Sequence, residues 1–214
     1  MRTKRLTRCA GCGLSQNLCV CSTLPVLSTR TRIVLLSHRI ELAKPTNTAK
    51  LVARMLGGQA QLIQSHIPWQ PEAPAETFVL FPTDDAIPIE QIQPRIRTLI
   101  IPDGTWVQAR RIARRHPACQ NLTKVQLTAA PASQYTLRRS HLTNGLCTLE
   151  AAAEALRILE GESSTEPMLT AFKTWVERAQ LVRAGAHAIR TFRSADRLGA
   201  AGAACGEPSL VADS

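Results

Sequence analysis

Thr98-Leu99-Ile100-Ile101-Pro102-Asp103-Gly104-Thr105-Trp106-Val107-Gln108-Ala109-Arg110-Arg111 is the stretch on which the fold of this chain turns. Its first four residues are apolar or β-branched and stop at turn formers, the pattern of a short buried strand. Pro102-Asp103-Gly104 ends that strand abruptly. A helix follows from about Thr105 to His116, and Pro117 closes it. A buried strand that runs straight into a helix is the repeating unit of a parallel α/β sheet.

Working outward, the same alternation recurs. Residues 32–37 (Arg-Ile-Val-Leu-Leu-Ser) read as a buried strand, and residues 47–56 as a helix capped by Asn47 or Thr46 and stopped by Gly57-Gly58. Residues 60–64 form a second strand, and Pro68 to Pro74 a loop. Phe78-Val79-Leu80-Phe81 is a further strand, ended by Pro82 and the polar Thr83-Asp84-Asp85; Lys124 to Leu127 is another. Residues 148–160 and 168–183 are helical, rich in Ala, Leu and Glu in the first case. Apolar strands between helices predict a largely parallel sheet covered on both faces. Ligands of such sheets sit beyond the carboxyl ends of the strands, which puts Ser37-His38, Pro82-Thr83 and Asp103-Gly104 on one rim. From about Ser194 the chain turns to aperiodic Gly, Ala and Ser, so residues 195–214 read as a disordered tail.

Asp103 has two readings that are compatible. Just before a helix, a carboxylate is a good N-cap; at the end of a strand, it is also a carboxylate at the ligand rim. The helix behind it divides by face. Trp106, Ala109, Ile112 and Ala113 fall on one side at helical spacing, and Arg110, Arg111, Arg114 and Arg115 on the other. The whole chain carries a formal charge of +10, mostly from arginine. Clustered arginines without interleaved acids point to phosphate contact, although a solvated face has the same pattern. A second basic group, Ser133-Gln134-Tyr135-Thr136-Leu137-Arg138-Arg139, contains the one tyrosine of the chain. Its ring either stacks a base or packs in the core with its hydroxyl satisfied. Thr148 reads as the N-cap of the 148–160 helix, with Glu150 in its first turn. His38 with Glu41 is a weaker acid–base candidate.

The N-terminus carries a different signal. Cys9-Ala10-Gly11-Cys12 and Cys19-Val20-Cys21 are two thiol pairs joined by a short loop, a spacing that closes around one tetrahedral metal ion. The segment is short and polar, so a metal is expected to hold it together. Arg2, Lys4, Arg5 and Arg8 beside it make it basic. The sequence has seven cysteines and no apolar secretory h-region, which favours a cytoplasmic, reducing compartment, where clustered thiols bind metal rather than pair. Cys119, Cys147 and Cys205 stand apart and read as ordinary buried or tail thiols. No apolar run reaches the ~18 residues of a membrane span. No Walker A loop, no GxGxxG and no persuasive Ser/His/Asp order is present.

Together these motifs resemble the DTW-domain family, named for Asp-x-Thr-Trp, here Asp103-Gly104-Thr105-Trp106. The resemblance covers about residues 9 to 183. It takes in the cysteines at 9, 12, 19 and 21, His38 to Glu41, Asn47-Thr48 and Leu80-Phe81-Pro82. It continues through Gln108-Ala109-Arg110, Tyr135-Leu137-Arg138 and Thr148-Leu149-Glu150-Ala151. One departure is Lys44, where arginine is more usual.

The resemblance implies a tRNA-uridine aminocarboxypropyltransferase. Such an enzyme moves the 3-amino-3-carboxypropyl group of S-adenosylmethionine to N3 of a tRNA uridine and releases methylthioadenosine. It also implies a SPOUT-like fold with a C-terminal knot over residues 29–194, preceded by a zinc-binding segment over residues 1–28. On this reading Asp103 is the catalytic base. Pro82, Thr83, Asp103, Trp106, Thr148, Glu150 and Ala151 form the cofactor pocket. Arg110, Arg111, Arg114, Tyr135, Arg138 and Arg139 meet tRNA, and Cys9, Cys12, Cys19 and Cys21 hold structural zinc. No obligate protein partner and no membrane are expected. Two rival readings stay open: a SPOUT-type RNA methyltransferase, and a non-catalytic zinc-ribbon RNA-binding protein.

Overall fold

The structure, a computed structural model, describes residues 7–129, 132–137, 145–162 and 165–184. The expected tail at 195–214 and the basic residues Arg2, Lys4, Arg5, Arg138 and Arg139 lie outside the described residues, as does Cys205. In chain order the elements are β1 (Arg32–Ser37), α1 (Arg39–Leu42), α2 (Ala49–Leu56), β2 (Ala60–Gln64), β3 (Thr77–Leu80), β4 (Ile87–Pro88) and α3 (Ile89–Ile92). They continue with β5 (Thr98–Asp103), α4 (Trp106–Arg115), α5 (Pro117–Gln120), β6 (Lys124–Gln126), α6 (Thr148–Glu160) and α7 (Glu166–Ala184).

The strands form one six-stranded sheet in the order β2-β1-β5-β3-β6-β4. Every pairing in it is parallel. The α/β architecture therefore stands as expected. β5 lies between β1 and β3, and β6 between β3 and β4, so each later strand enters between two that precede it in sequence.

Alternation along the central strands sorts the core into two layers. Ile33, Leu35, Phe78, Leu80, Leu99 and Ile101 face one cluster, with side chains of α2, α6 and α7. Val34, Leu36, Val79, Phe81 and Ile100 face the other, against Ala109, Ile112 and Ala113 of α4 and Cys119 of α5. A sheet buried on both sides explains why its strands read as continuous apolar runs.

β5 runs two residues further than its sequence indicates, through Pro102 and Asp103. β3 pairs with β5 only as far as Val79 opposite Ile100, while β1 follows β5 to Ser37 opposite Asp103. A proline lacks an N–H donor and is tolerated where a strand has one neighbour. The extension carries Asp103 to the end of the sheet as the last strand residue rather than the first loop residue.

The N-terminal segment is more embedded than its polarity implies. Leu14, Leu18 and Val20 are buried in the same cluster as α2 and α7. The Trp175 indole of α7 donates to the Cys12 carbonyl at 2.8 Å, and Arg178 donates to the Cys19 carbonyl at 2.9 Å. Gly13 has φ +74°, and a Cβ there would lie 2.1 Å from the Pro45 carbonyl oxygen, so a glycine is required where this segment meets the loop before α2.

Trp175 is fully buried. Trp175→Phe retains most of its packing but leaves the Cys12 carbonyl without its donor, and is expected to lower stability by about 1–3 kcal/mol in urea unfolding. A loss below ~0.5 kcal/mol would show that the indole bond does not anchor the segment.

Candidate active site and cysteine cluster

The carboxyl ends of β1 and β5 converge on Asp103. The residue is 3% exposed. Ser37, at the end of β1, and Asn47, in the loop before α2, both donate to Oδ2, the latter at 2.7 Å. Thr148, the first residue of α6, donates to Oδ1 at 2.5 Å. The His38 amide donates to the Asp103 carbonyl at 2.9 Å. A buried acceptor-only group needs such donors, since a desolvated charge without partners is strongly disfavoured.

Asp103 does not cap α4. Thr105 does, in a capping box with Gln108: the Gln108 amide donates to Thr105 Oγ1, and the Thr105 amide to Gln108 Oε1. Gly104 fits because a Cβ there would lie 2.8 Å from the Gln108 Cβ. With the cap supplied by Thr105, the Asp103 carboxylate is left for other partners. The cap of α6 is likewise Cys147 rather than Thr148, which frees the Thr148 hydroxyl for Asp103. Nor is α2 capped as expected: Thr48 holds the cap position, and Asn47 accepts from the Lys50 amide at 3.2 Å while donating to Asp103.

Beside this knot of hydrogen bonds opens a cavity of about 1100 Å³. Thr46, Asn47 and Thr48 form one wall; Phe81, Pro82, Gln126 and Leu127 form another. Asp103, Gly104, Trp106, Cys147, Thr148 and Ala151 also line it. Of the residues expected in a cofactor pocket, Pro82, Asp103, Trp106, Thr148 and Ala151 line it, whereas Thr83 and Glu150 do not. Glu150 acts one step back. Its carboxylate accepts from Ser133 Oγ at 2.7 Å, from the Gln134 amide at 2.6 Å and from the Cys147 amide at 2.9 Å. It thereby pins two lining segments to the start of α6.

Trp106 is 38% exposed at the cavity edge, its ring 5.5 Å from that of Phe81, so it is not the core residue that helical spacing predicts. Arg110, Arg111, Arg114 and Arg115 are exposed on the outer face of α4. With Val107 they line a surface depression of about 500 Å³, and Val107 and Arg110 border the main cavity as well.

Of the two readings of Tyr135, its contacts match the core one. Expected to face RNA, it is turned inward: its hydroxyl donates to the Thr46 carbonyl at 2.7 Å, and its ring packs against Phe172 and Trp175. Those contacts leave its faces to the core, with only part of the side chain on the cavity wall. The Glu41 carboxylate pairs with Lys44 at 2.6 Å while its amide donates to the His38 carbonyl at 2.8 Å, and the His38 ring contacts Gln108. Sequence reading named Ser37 as a rim position and Asn47 as a cap, but not either as a partner of Asp103. The one signal was a polar residue, Ser37, directly after five residues of strand.

The four N-terminal sulfurs all lie within 4.8 Å of one another. Cys9 and Cys21 are 3.5 Å apart, and Cys12 and Cys19 3.7 Å. A tetrahedron with metal–sulfur bonds of ~2.3 Å has edges of roughly 3.8 Å, so these residues fit one metal ion. A hydrogen bond from Cys21 pulls the Cys12 thiol down to about 5, and the same contact pushes Cys21 up. Burial pushes Cys119 up to about 12 and raises Cys147, so both isolated thiols stay protonated and inert.

Glu150→Ala removes the acceptor shared by two lining segments. The amides of Gln134 and Cys147 are expected to exchange with solvent about 10–100-fold faster, the equivalent of the ~1.5–3 kcal/mol of a charge-assisted bond. Unchanged protection at both amides in hydrogen-exchange measurements would contradict this.

The chain is similar to known proteins over most of its length. The DTW domain matches residues 6–180, close to the extent that the motifs mark out. A Drosophila melanogaster protein named tRNA-uridine aminocarboxypropyltransferase 2 is 30% identical over 171 residues, covering 73% of this chain and 68% of the relative. Proteins of the same name from Macaca fascicularis and Mus musculus are 31% and 29% identical, over 73% and 78% of this chain. The chain spans 58% and 61% of the lengths of these two, so each is a substantially longer protein. No solved structure matches it significantly. With a match over most of its length and the Asp103 to Trp106 motif at the mouth of its cavity, the chain belongs to the DTW-domain family.

Proposed function

We propose that this chain transfers the 3-amino-3-carboxypropyl group of S-adenosylmethionine to N3 of a uridine in tRNA, releasing methylthioadenosine. The observation that carries this reading is the cavity at the carboxyl end of the sheet, which holds a buried carboxylate and opens beside an arginine face. Ligand pockets run to roughly 300–1,000 Å³. A volume of about 1100 Å³ has room for an adenosyl cofactor and a uracil side by side.

The sulfonium of S-adenosylmethionine activates three carbons, and the one attacked is the one the site presents in line, at roughly 3–3.5 Å from the nucleophile. Uridine N3 is a poor nucleophile while protonated, so the site must accept its proton as the new bond forms. Asp103 is the terminal acceptor in this reading. Pro82, Trp106 and Ala151 hold the cofactor, with Thr148 contributing through its backbone, Glu150 fixing their support and Thr83 following Pro82 in the same loop. Arg110, Arg111 and Arg114, together with Arg138 and Arg139, contact tRNA phosphates, a sequence-independent attraction that positions the substrate. Tyr135 serves the cavity wall rather than the RNA.

The fold reading is a SPOUT-like core with a C-terminal knot. The six-stranded all-parallel sheet is compatible with that core, and the knot rests on the family resemblance. No helix of the described residues is long and apolar enough to cross a membrane. A cytoplasmic, reducing compartment is the reading that suits a four-thiol metal site. The four-cysteine site fits zinc, and with all four positions filled by protein its role is structural.

The test is incubation of the purified protein with unmodified tRNA and S-adenosylmethionine, with mass analysis of small molecules and nucleosides. Methylthioadenosine and an aminocarboxypropyl uridine are expected. S-adenosylhomocysteine with a methylated nucleoside would make it a methyltransferase; tRNA binding without any product would make it a binding module. Asp103→Asn is expected to keep S-adenosylmethionine binding and lose turnover by ~10²-fold or more.

The zinc assignment predicts one zinc per chain by elemental analysis. Chelation is expected to lower the midpoint of thermal unfolding, and acidification to release the metal as thiolates protonate. A metal-free protein with the same midpoint would remove zinc from the reading.

A further inference from the structure

We propose that the Thr148 hydroxyl is the group that meets uridine N3, taking its proton and handing its own to Asp103. The proposal rests on the function above and assigns the route of the proton within it.

Asp103 is poorly placed to touch a substrate itself. It is almost wholly buried, and both carboxylate oxygens already carry donors. The two donors on Oδ2 are poor relays. Ser37 is fully buried and does not border the cavity, and Asn47, also buried, offers an amide nitrogen, which donates but does not accept. The donor on Oδ1 differs. Thr148 is partly exposed and lines the cavity, and a hydroxyl both donates and accepts. Among the described residues it is the group that faces the cavity and also delivers a transferable proton to the carboxylate.

Its position is fixed on several sides. Thr148 opens α6, whose first turn is held by the Cys147 amide on Glu150 at 2.9 Å and the Ala151 amide on the Cys147 carbonyl at 2.9 Å. A threonine in a helix is limited to about two rotamers, and the one adopted here aims the hydroxyl at Oδ1. The partial positive charge at the helix N-terminus stabilises negative charge developing on the Thr148 oxygen. The other ionisable side chains lining the cavity are Arg110, Tyr135 and Cys147. Arginine does not accept protons, Tyr135 is engaged with the Thr46 carbonyl, and burial keeps the Cys147 thiol protonated.

The step balances. The N3–H bond breaks as Thr148 Oγ1 takes its proton, and the hydroxyl proton passes to Asp103 Oδ1, leaving threonine unchanged. The N3 electron pair forms the bond to the carbon of the aminocarboxypropyl group. The carbon–sulfur bond breaks with its pair retained by sulfur, which discharges the sulfonium and yields neutral methylthioadenosine. Protonated Asp103 then returns its proton through the Thr148 hydroxyl to water once the products have left.

Thr148→Val keeps the shape and removes the hydroxyl; Thr148→Ser keeps the hydroxyl. The valine variant is expected to bind S-adenosylmethionine and tRNA within about threefold of the parent, by calorimetry and filter binding. Its single-turnover rate near pH 7 is expected to fall by ~10²–10⁴-fold. Because solvent must then remove the N3 proton, its rate should rise about tenfold per pH unit and approach the parent in alkali. The serine variant should retain the parent rate within about tenfold, and its pH profile. A valine variant within threefold of the parent rate, one whose pH profile merely parallels the parent, or one that has lost S-adenosylmethionine affinity would overturn the relay. A parent protein that forms no aminocarboxypropyl uridine would overturn the underlying function, and that result is visible before any variant is made.

Discussion

The Asp103 carboxylate holds the working end of this molecule together. It receives hydrogen bonds from the end of β1, from the loop before α2 and from the first turn of α6. All three lie far from Asp103 in sequence, and the loop before α2 and the first turn of α6 form part of the cavity wall. A buried carboxylate without donors is strongly disfavoured, so each segment is drawn to the same point. The group that a transfer reaction would use to accept a proton is therefore also the group that shapes the pocket.

The cysteine segment is tied to the same place through packing. It rests on the Pro45 carbonyl, two residues before Asn47, and it is bonded to α7 through Trp175 and Arg178. Trp175 stacks with Phe172, and Tyr135 packs on both while holding the Thr46 carbonyl. A metal at the four sulfurs would thus stiffen the loop that carries one of the Asp103 donors. The segment is part of the core as well as a metal knuckle, which is why its leucines and valine are buried.

The two faces of the sheet divide the work. One face is filled by α2, α6 and α7 and closes the structure. The other carries α4, whose inner side is small and apolar and whose outer side presents four arginines. Since α4 starts at the cavity mouth, cationic surface and buried carboxylate lie at one end of the sheet. Phosphate attraction there would bring a nucleotide to the pocket without reading its sequence.

The sequence by itself determined five of the six strands (the short β4 was not among them), the long helices, the parallel sheet and the four-cysteine site. These depend on apolar runs, helical spacing and thiol spacing, all local properties. It also placed Asp103 at the rim, because a strand that ends before a helix has its carboxyl end there. Tertiary structure alone decided what Asp103 does. Its partners Ser37, Asn47 and Thr148 are separated from it by 66, 56 and 45 residues, and each has an equally good local explanation as a strand end or cap. Likewise Tyr135 was drawn inward by Phe172 and Trp175, which no local pattern beside its arginines could reveal. Local chemistry fixes which backbone conformation a residue favours; long-range packing fixes which buried polar groups must satisfy one another.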